Sequence, residues 1–180
     1  MKKSFSHRLL KACGWTIDNK IVLPKKAVLC VAPHTSNWDF LWGVLFRSAS
    51  QFKSYFFMKD AWFKFPLKGI MTKLGGIPVD RTKKTSLTQQ SVETFSKHET
   101  FHIAITPEGT RKPRKIWKKG FMVIAHEAKV PLVIIHINYA TKTVGFDKIM
   151  PLTGDVDLDM IHVKACYQAS EAKYPKNFDK

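Results

Sequence analysis

The chain has 180 residues, room for one domain with its own core and too little for two full ones. Hydrophobic residues make up 44%, which excludes a disordered chain. Lys and Arg number 30 against 14 Asp and Glu, and the net charge of +16 points to an anionic partner (nucleic acid, anionic lipid or a polyphosphate cofactor) unless the basic surface serves solubility alone.

In chain order, residues 4–13 read as a short amphipathic helix within a basic N-terminal segment, 1–20, with Phe5, Leu9, Leu10 and Cys13 on one side. Met1 to Phe5 lacks the continuous apolar stretch of a signal peptide. Ala27–Val31 is a strand, and Ser36 or Asn37 caps a helix that runs to about Ser50 through Phe40, Leu41, Val44 and Leu45. Tyr55–Met58 is a second strand. A proline-broken stretch, Ala61 to Leu67, then leads into a helical turn that ends at Gly75-Gly76. Ile77-Pro78-Val79 is extended, Thr85–Lys97 helical, Phe101–Thr106 a strand, Gly120–Ala128 a helix and Leu132–Asn138 a strand. Residues 141–150 and 160–167 read as later strands, and the polar tail 170–180 as loose. The alternation predicts one α/β domain over 1–180, a central mixed, mostly parallel sheet flanked by helices. The longest apolar run, Phe40 to Phe46, falls far short of the ~20 residues that cross a bilayer, so a protein working on membranes would sit on them.

Two polar blocks follow apolar runs, the place where open α/β sheets gather their chemistry. The first is His34-Thr35-Ser36-Asn37-Trp38-Asp39. A histidine can take a proton near neutral pH, and a carboxylate five residues on, in the first helical turn, could fold back to fix its tautomer. A histidine that caps or packs would have the same spacing. The second block is Pro107-Glu108-Gly109-Thr110-Arg111, a turn shaped by Pro107 and Gly109 that offers Arg111 as a two-pronged phosphate grip. Glu108 would either orient Arg111 or accept a bond from a substrate hydroxyl. A third block adds a second arginine, Arg81, which ends the extended run Gly76-Ile77-Pro78-Val79-Asp80 and could instead pair with Asp80.

These blocks, with Val130-Pro131-Leu132-Val133 and the basic-glycine segment Lys118-Lys119-Gly120 onward, stand in the order found in a known family. Over roughly residues 27–138 the chain resembles the glycerolipid acyltransferases of the 1-acylglycerol-3-phosphate (lysophosphatidate) acyltransferase type. Pro33 stands where many members have Asn, Thr106 where Phe is usual, and Ile134 where a second proline is common. The resemblance implies a glycerol-3-phosphate acyltransferase-like fold and transfer of a fatty acyl group from acyl-CoA or acyl carrier protein to a lysophospholipid hydroxyl. It implies His34 as general base, Asp39 as its partner, and Arg81, Glu108, Gly109, Thr110 and Arg111 as acceptor-binding residues. No cofactor is expected beyond the activated thioester, and no metal.

The basic run Arg111 to Lys119 around Trp117 offers a candidate surface for anionic lipid, for coenzyme A phosphates or for an acidic carrier protein. Trp62, Phe63 and Phe65, interleaved with Lys59, Lys64 and Lys68, are a second, which ordinary helix packing would explain as well. The expected location is cytoplasmic, peripheral on the inner face of the membrane. A non-catalytic module binding nucleic acid or anionic lipid is the alternative, but no nucleic-acid recognition motif is present. His98-Glu99-Thr100-Phe101-His102 fits a zinc-hydrolase pattern, yet its second histidine starts a strand. Cys13, Cys30 and Cys166 have neither zinc spacing nor a disulfide framework, which suits a reducing compartment, and Cys30 reads as core. His7, His126, His136 and His162 show no partner in the sequence and read as structural or solvated.

Overall fold

Lys26–Ala32 is apolar on both sides of its strand period, the signature of a strand covered on both faces, and it lies at the centre of the sheet. Val28, Cys30 and Ala32 enter one core while Ala27 and Leu29 enter the other, all fully buried. Cys30 is thus a core residue, as its apolar surroundings predict.

The computed structural model describes residues 4–79 and 87–179. Its helices are α1 (Phe5–Ala12), α2 (Trp38–Ala49), α3 (Lys68–Lys73), α4 (Leu87–Lys97), α5 (Gly120–Glu127) and α6 (Val156–Ala165). Its strands are β1 (Thr16–Ile17), β2 (Lys26–Ala32), β3 (Tyr55–Lys59), β4 (Gly76–Val79), β5 (Phe101–Ile105), β6 (Leu132–Asn138) and β7 (Thr143–Met150). They form one sheet in the order β1-β7-β6-β2-β5-β3-β4. From β6 to β4 every neighbouring pair is parallel, and only β7 runs against β6, so the sheet is mixed and mostly parallel as expected. One core lies under α4, α5 and α6 and is filled by Phe95, Phe121, Met122 and Ile134; the other, under α1 and α2, holds Leu10, Trp15, Trp42 and Phe46. Within α1 only Leu10 is buried, so the apolar side read for residues 4–13 is largely unpacked, with Phe5 and Cys13 exposed. No helix among the described residues is long and apolar enough to cross a membrane.

Two expectations fail. Residues 160–167 are not a strand but the second half of α6 and its end. The Asp155 side chain accepts the amides of Asp157 and Leu158, which starts a helix, and Met160 and Val163, three apart, supply its buried stripe. The tail is not loose. Phe178 and Ala172 are buried in the first core, the Tyr139 amide donates to the Glu171 carbonyl (2.8 Å), and the buried Tyr167 hydroxyl donates to the Cys30 carbonyl (2.7 Å). The apolar side chains of the tail decide its fate, and its polar composition only covers the outside.

Phe178→Ala is expected to lower stability by about 3–5 kcal/mol, the cost of emptying a buried aromatic site. Urea unfolding would show this as a lower midpoint at unchanged slope, whereas a loose tail would move it by under about 0.5 kcal/mol.

Candidate active site

Because β2, β3, β4, β5 and β6 run in one direction, their carboxyl ends share one edge of the sheet. The polar blocks leave from that edge: His34 two residues past β2, Glu108 three past β5. The strands β2 and β5 are hydrogen-bonded neighbours, with Cys30 opposite Ile105.

Asn37, at the start of α2, has helical backbone angles and its side chain makes no capping bond. Ser36 caps instead, its Oγ accepting the Trp38 amide at 3.2 Å, and Asp39 in the first turn reaches back to the loop before the helix. Its Oδ2 accepts the amides of Thr35 (2.8 Å) and Ser36 (2.9 Å) and lies 3.1 Å from His34 Nδ1. Its Oδ1 accepts the hydroxyl of Tyr139 at 2.6 Å, just past β6. A charge at a helix amino end is favoured by the helix dipole. Burial pushes the Asp39 carboxyl up, but the bonds from His34, Tyr139 and the Ser36 amide outweigh it and hold the group below its ordinary range. An ionised carboxylate only accepts, so His34 carries its proton on Nδ1, and Nε2 is the nitrogen left to take another. Burial, with the bond to Asp39 behind it, pushes the Tyr139 phenol far up, which keeps it a donor. The carboxylate is 3% exposed and the histidine 17%, so the anion is shut in while the ring keeps an outlet.

Glu108 takes a place the sequence did not suggest. Its Oε1 accepts the backbone amide of His34 at 2.7 Å, so it holds the histidine loop and does not orient Arg111, which lies on the exposed surface. Burial pushes the Glu108 carboxyl above its ordinary range despite that amide, and its buried Oε2 has no partner among the described residues. Gly109 sits at φ +62, and its amide donates to the Thr106 carbonyl (3.1 Å), closing the turn that presents Thr110 and Arg111. Thr110 Oγ1 accepts the Lys112 amide at 3.2 Å. Hydrogen bonds thus join His34, Asp39 and Glu108, and the turn carries Gly109, Thr110 and Arg111 beside them. Arg81, with Asp80, lies outside the described residues.

Tyr139, Thr35 and Tyr174 are the functional-site contributors that sequence reasoning missed. Tyr139 directly follows a strand whose end was correctly placed at Asn138, and that position at the carboxyl edge was the available signal. The Tyr174 amide donates to Thr35 Oγ1 at 3.2 Å, which ties the tail to the same loop. Trp117 is buried against Tyr167 and Phe178, which corrects its reading as an interfacial residue. Around it the basic loop forms an open depression of about 470 Å³ lined by Arg114, Lys115, Ile116 and Lys118, to which neither His34 nor Asp39 contributes. His98 is exposed beyond α4, and His102 is buried in β5 with its ring nitrogens 2.9 Å from the Lys53 carbonyl and 2.7 Å from that of Pro24; the two share no helix face. No metal-holding cluster occurs among the described residues. His126 does have a partner, Asp159 at 2.8 Å, and His136 Nδ1 lies 2.9 Å from a Glu171 carboxylate oxygen without the alignment of a hydrogen bond.

A family model described as Acyltransferase matches residues 15–138, more than half of the chain. No curated protein matches. Among solved structures, the 1-acyl-sn-glycerophosphate (LPA) acyltransferase PlsC from Thermotoga maritima superposes with a TM-score of 0.62 at 18% identity. The match covers 90% of this chain and 73% of that one, and it shows a shared fold.

Tyr139→Phe takes a donor from a buried carboxylate and is expected to cost about 1–3 kcal/mol at pH 7. Because folding holds its pKa below the unfolded value, ionised Asp39 contributes stability that is present above the unfolded pKa of about 4 and lost as pH falls through the folded value. The gap between wild type and Tyr139→Phe should therefore close in acid. Denaturant midpoints measured from pH 7 to pH 2.5 would show it, and a gap independent of pH would refute the coupling.

Proposed function

The chain belongs to the acyltransferase family, and from that premise we propose that it moves a fatty acyl group from acyl-CoA or acyl carrier protein to the hydroxyl of a lysophospholipid, 1-acyl-glycerol-3-phosphate first among them. The observation that carries the reading is the 3.1 Å contact of His34 Nδ1 with a buried Asp39, which leaves Nε2 basic beside the Glu108–Arg111 turn. The lysophosphatidate acyltransferase activity for which the Thermotoga protein of like fold is named supports it. On this reading the enzyme is cytoplasmic and works as a peripheral protein on the inner face of the membrane that holds its acceptor.

The chemistry follows from proton balance. The acceptor oxygen attacks the thioester carbonyl carbon while His34 Nε2 takes its proton, and Asp39 stabilises the imidazolium that forms. The carbon–sulfur bond then breaks, and the imidazolium returns the proton to the leaving thiolate. The thioester is already activated, so no cofactor and no covalent enzyme intermediate are needed. Arg111 and Arg81 grip the acceptor phosphate, with Thr110 and the Gly109 backbone completing the turn that receives it. The unpartnered Oε2 of Glu108 supports a role for this side chain as the acceptor of a substrate hydroxyl's bond. Holding both substrates in line adds a proximity term to the rate.

Acyl transfer to lysophosphatidate in mixed micelles, from long-chain acyl-CoA and from acyl carrier protein in parallel, tests the proposal. His34→Ala should lower kcat about 10²–10⁴-fold in a folded protein. Asp39→Asn should lower kcat with little change in KM. Transfer by His34→Ala at the wild-type rate would refute the base assignment, and inactivity of the wild type with both donors would refute the substrates.

Arg111→Ala should raise the KM for lysophosphatidate and leave that for the acyl donor unchanged. A rise in the donor's KM alone would move Arg111 to the donor phosphates.

A further inference from the structure

Phe65 is 98% exposed and Trp62 51%, an arrangement that water disfavours. They belong to the connection between β3 and β4, in which every residue from Lys59 to Ile70 is exposed except Phe63. That segment is held in place. Asp60–Phe63 forms a 3-10 turn directly after β3, and the Phe63 ring comes within 3.0 Å of where a Cβ at Gly76 would sit. Phe63 thus anchors the segment against β4, while Trp62, Phe65, Leu67 and Ile70 are left with their apolar surface in water.

The charges around this patch have one sign. Lys59, Lys64, Lys68 and Lys73 surround the aromatic residues, and Asp60 is the segment's one acid. Lysines with tryptophan and phenylalanine between them fit the bilayer interface, where rings sit at headgroup depth and ammonium groups meet lipid phosphates. An acidic protein partner would use the lysines but leave Phe65 without a hydrophobic counterpart. The position of the patch is also informative. It follows the carboxyl end of β3, on the edge of the sheet from which His34 and Glu108 project. Trp38, half exposed, starts α2 at that edge, and Ile116, 80% exposed, stands among Arg114, Lys115 and Lys118 in the loop that follows β5.

We propose that the 59–73 segment, with Phe65 and Trp62 at its centre and Lys59, Lys64 and Lys68 around them, docks on an anionic lipid bilayer and sets the carboxyl edge of the sheet against it. The function proposed above supplies the reason for such contact, a lipid acceptor, but the docking itself is read without turnover. Inserted aromatic rings fix the depth and the lysines select the anionic surface, so the lipid acceptor reaches the site along the membrane plane.

Flotation of the full chain with vesicles of phosphatidylcholine and phosphatidylglycerol (3:1), and with phosphatidylcholine alone, tests the docking. The wild type should bind the anionic vesicles at least tenfold more tightly and weaken as salt rises. Trp62→Ser with Phe65→Ser should cut binding to anionic vesicles at least tenfold. Lys64→Glu with Lys68→Glu should do the same, all four positions being exposed so that circular dichroism and the unfolding midpoint stay unchanged. His34→Ala should float like the wild type. Vesicle binding by a protein inactive with every donor would then count against the proposed substrates and not against the docking face. Equal flotation of the wild type and the Trp62→Ser/Phe65→Ser variant would overturn the proposal. So would failure of the wild type to bind anionic vesicles, or a wild-type dimer in sedimentation that this variant turns into monomers, since the patch would then cover a second copy.

Discussion

The carboxylate of Asp39 is the fixed point of this molecule. It is nearly sealed from water, yet it stays ionised because two loop amides, a phenol and an imidazole all point at it. Burying such a charge without partners would cost several kcal/mol, so the surrounding chain is forced into the one arrangement that supplies them. The loop 34–36 must curl so that its amides converge, α2 must begin where it does, and β6 must end with Tyr139 in reach. The orientation of His34 is therefore a by-product of satisfying an anion. Glu108 extends the same logic to the neighbouring strand by fixing the His34 amide, so the loops after β2 and β5 cannot shift independently.

The sheet supplies the setting. Strand β2 lies between β5 and β6, and the helix that follows it leads to β3, beyond β5. A chain that skips a neighbour in this way leaves loops fanning apart at the carboxyl edge, and a cleft there costs no buried apolar contact. The neighbouring strands are short and apolar, so the polar residues can gather only where the strands stop.

Much of this could be read from the residues themselves. The runs before His34 and before Pro107 are short, apolar and ended by polar turns, which marks both as buried parallel strands. The pair His34 and Asp39 was legible because five residues across a strand-to-helix junction allow only a few geometries. Tyr139 was not legible, since it lies 100 residues from its carboxylate and only the β2–β6 pairing brings the two together. Glu108 reads in sequence as orienting Arg111 or accepting from a substrate hydroxyl, and neither reading reveals its bond to the His34 amide, which joins loops on neighbouring strands. The apolar residues at 160–163 resembled a strand until Asp155 is seen capping a helix. Trp117 looked exposed among its cations, but the tail that covers it, carrying Phe178, is distant in sequence and was itself misread as loose.

That tail also fixes an order of events during synthesis. The histidine loop is made early, yet Thr35 receives a bond from Tyr174, and the carbonyl of Cys30 in the strand that leads to it receives one from Tyr167. A chain emerging amino end first has His34 and Asp39 exposed to the cell well before residues 167–178 can brace them. The nascent protein can collapse around β2, β5 and β6 while its histidine loop is still unsupported. The arrangement around His34 is therefore complete only once residues 167–178 have emerged, and a polypeptide interrupted before residue 167 would keep His34 and Asp39 without the bonds from Tyr167 and Tyr174.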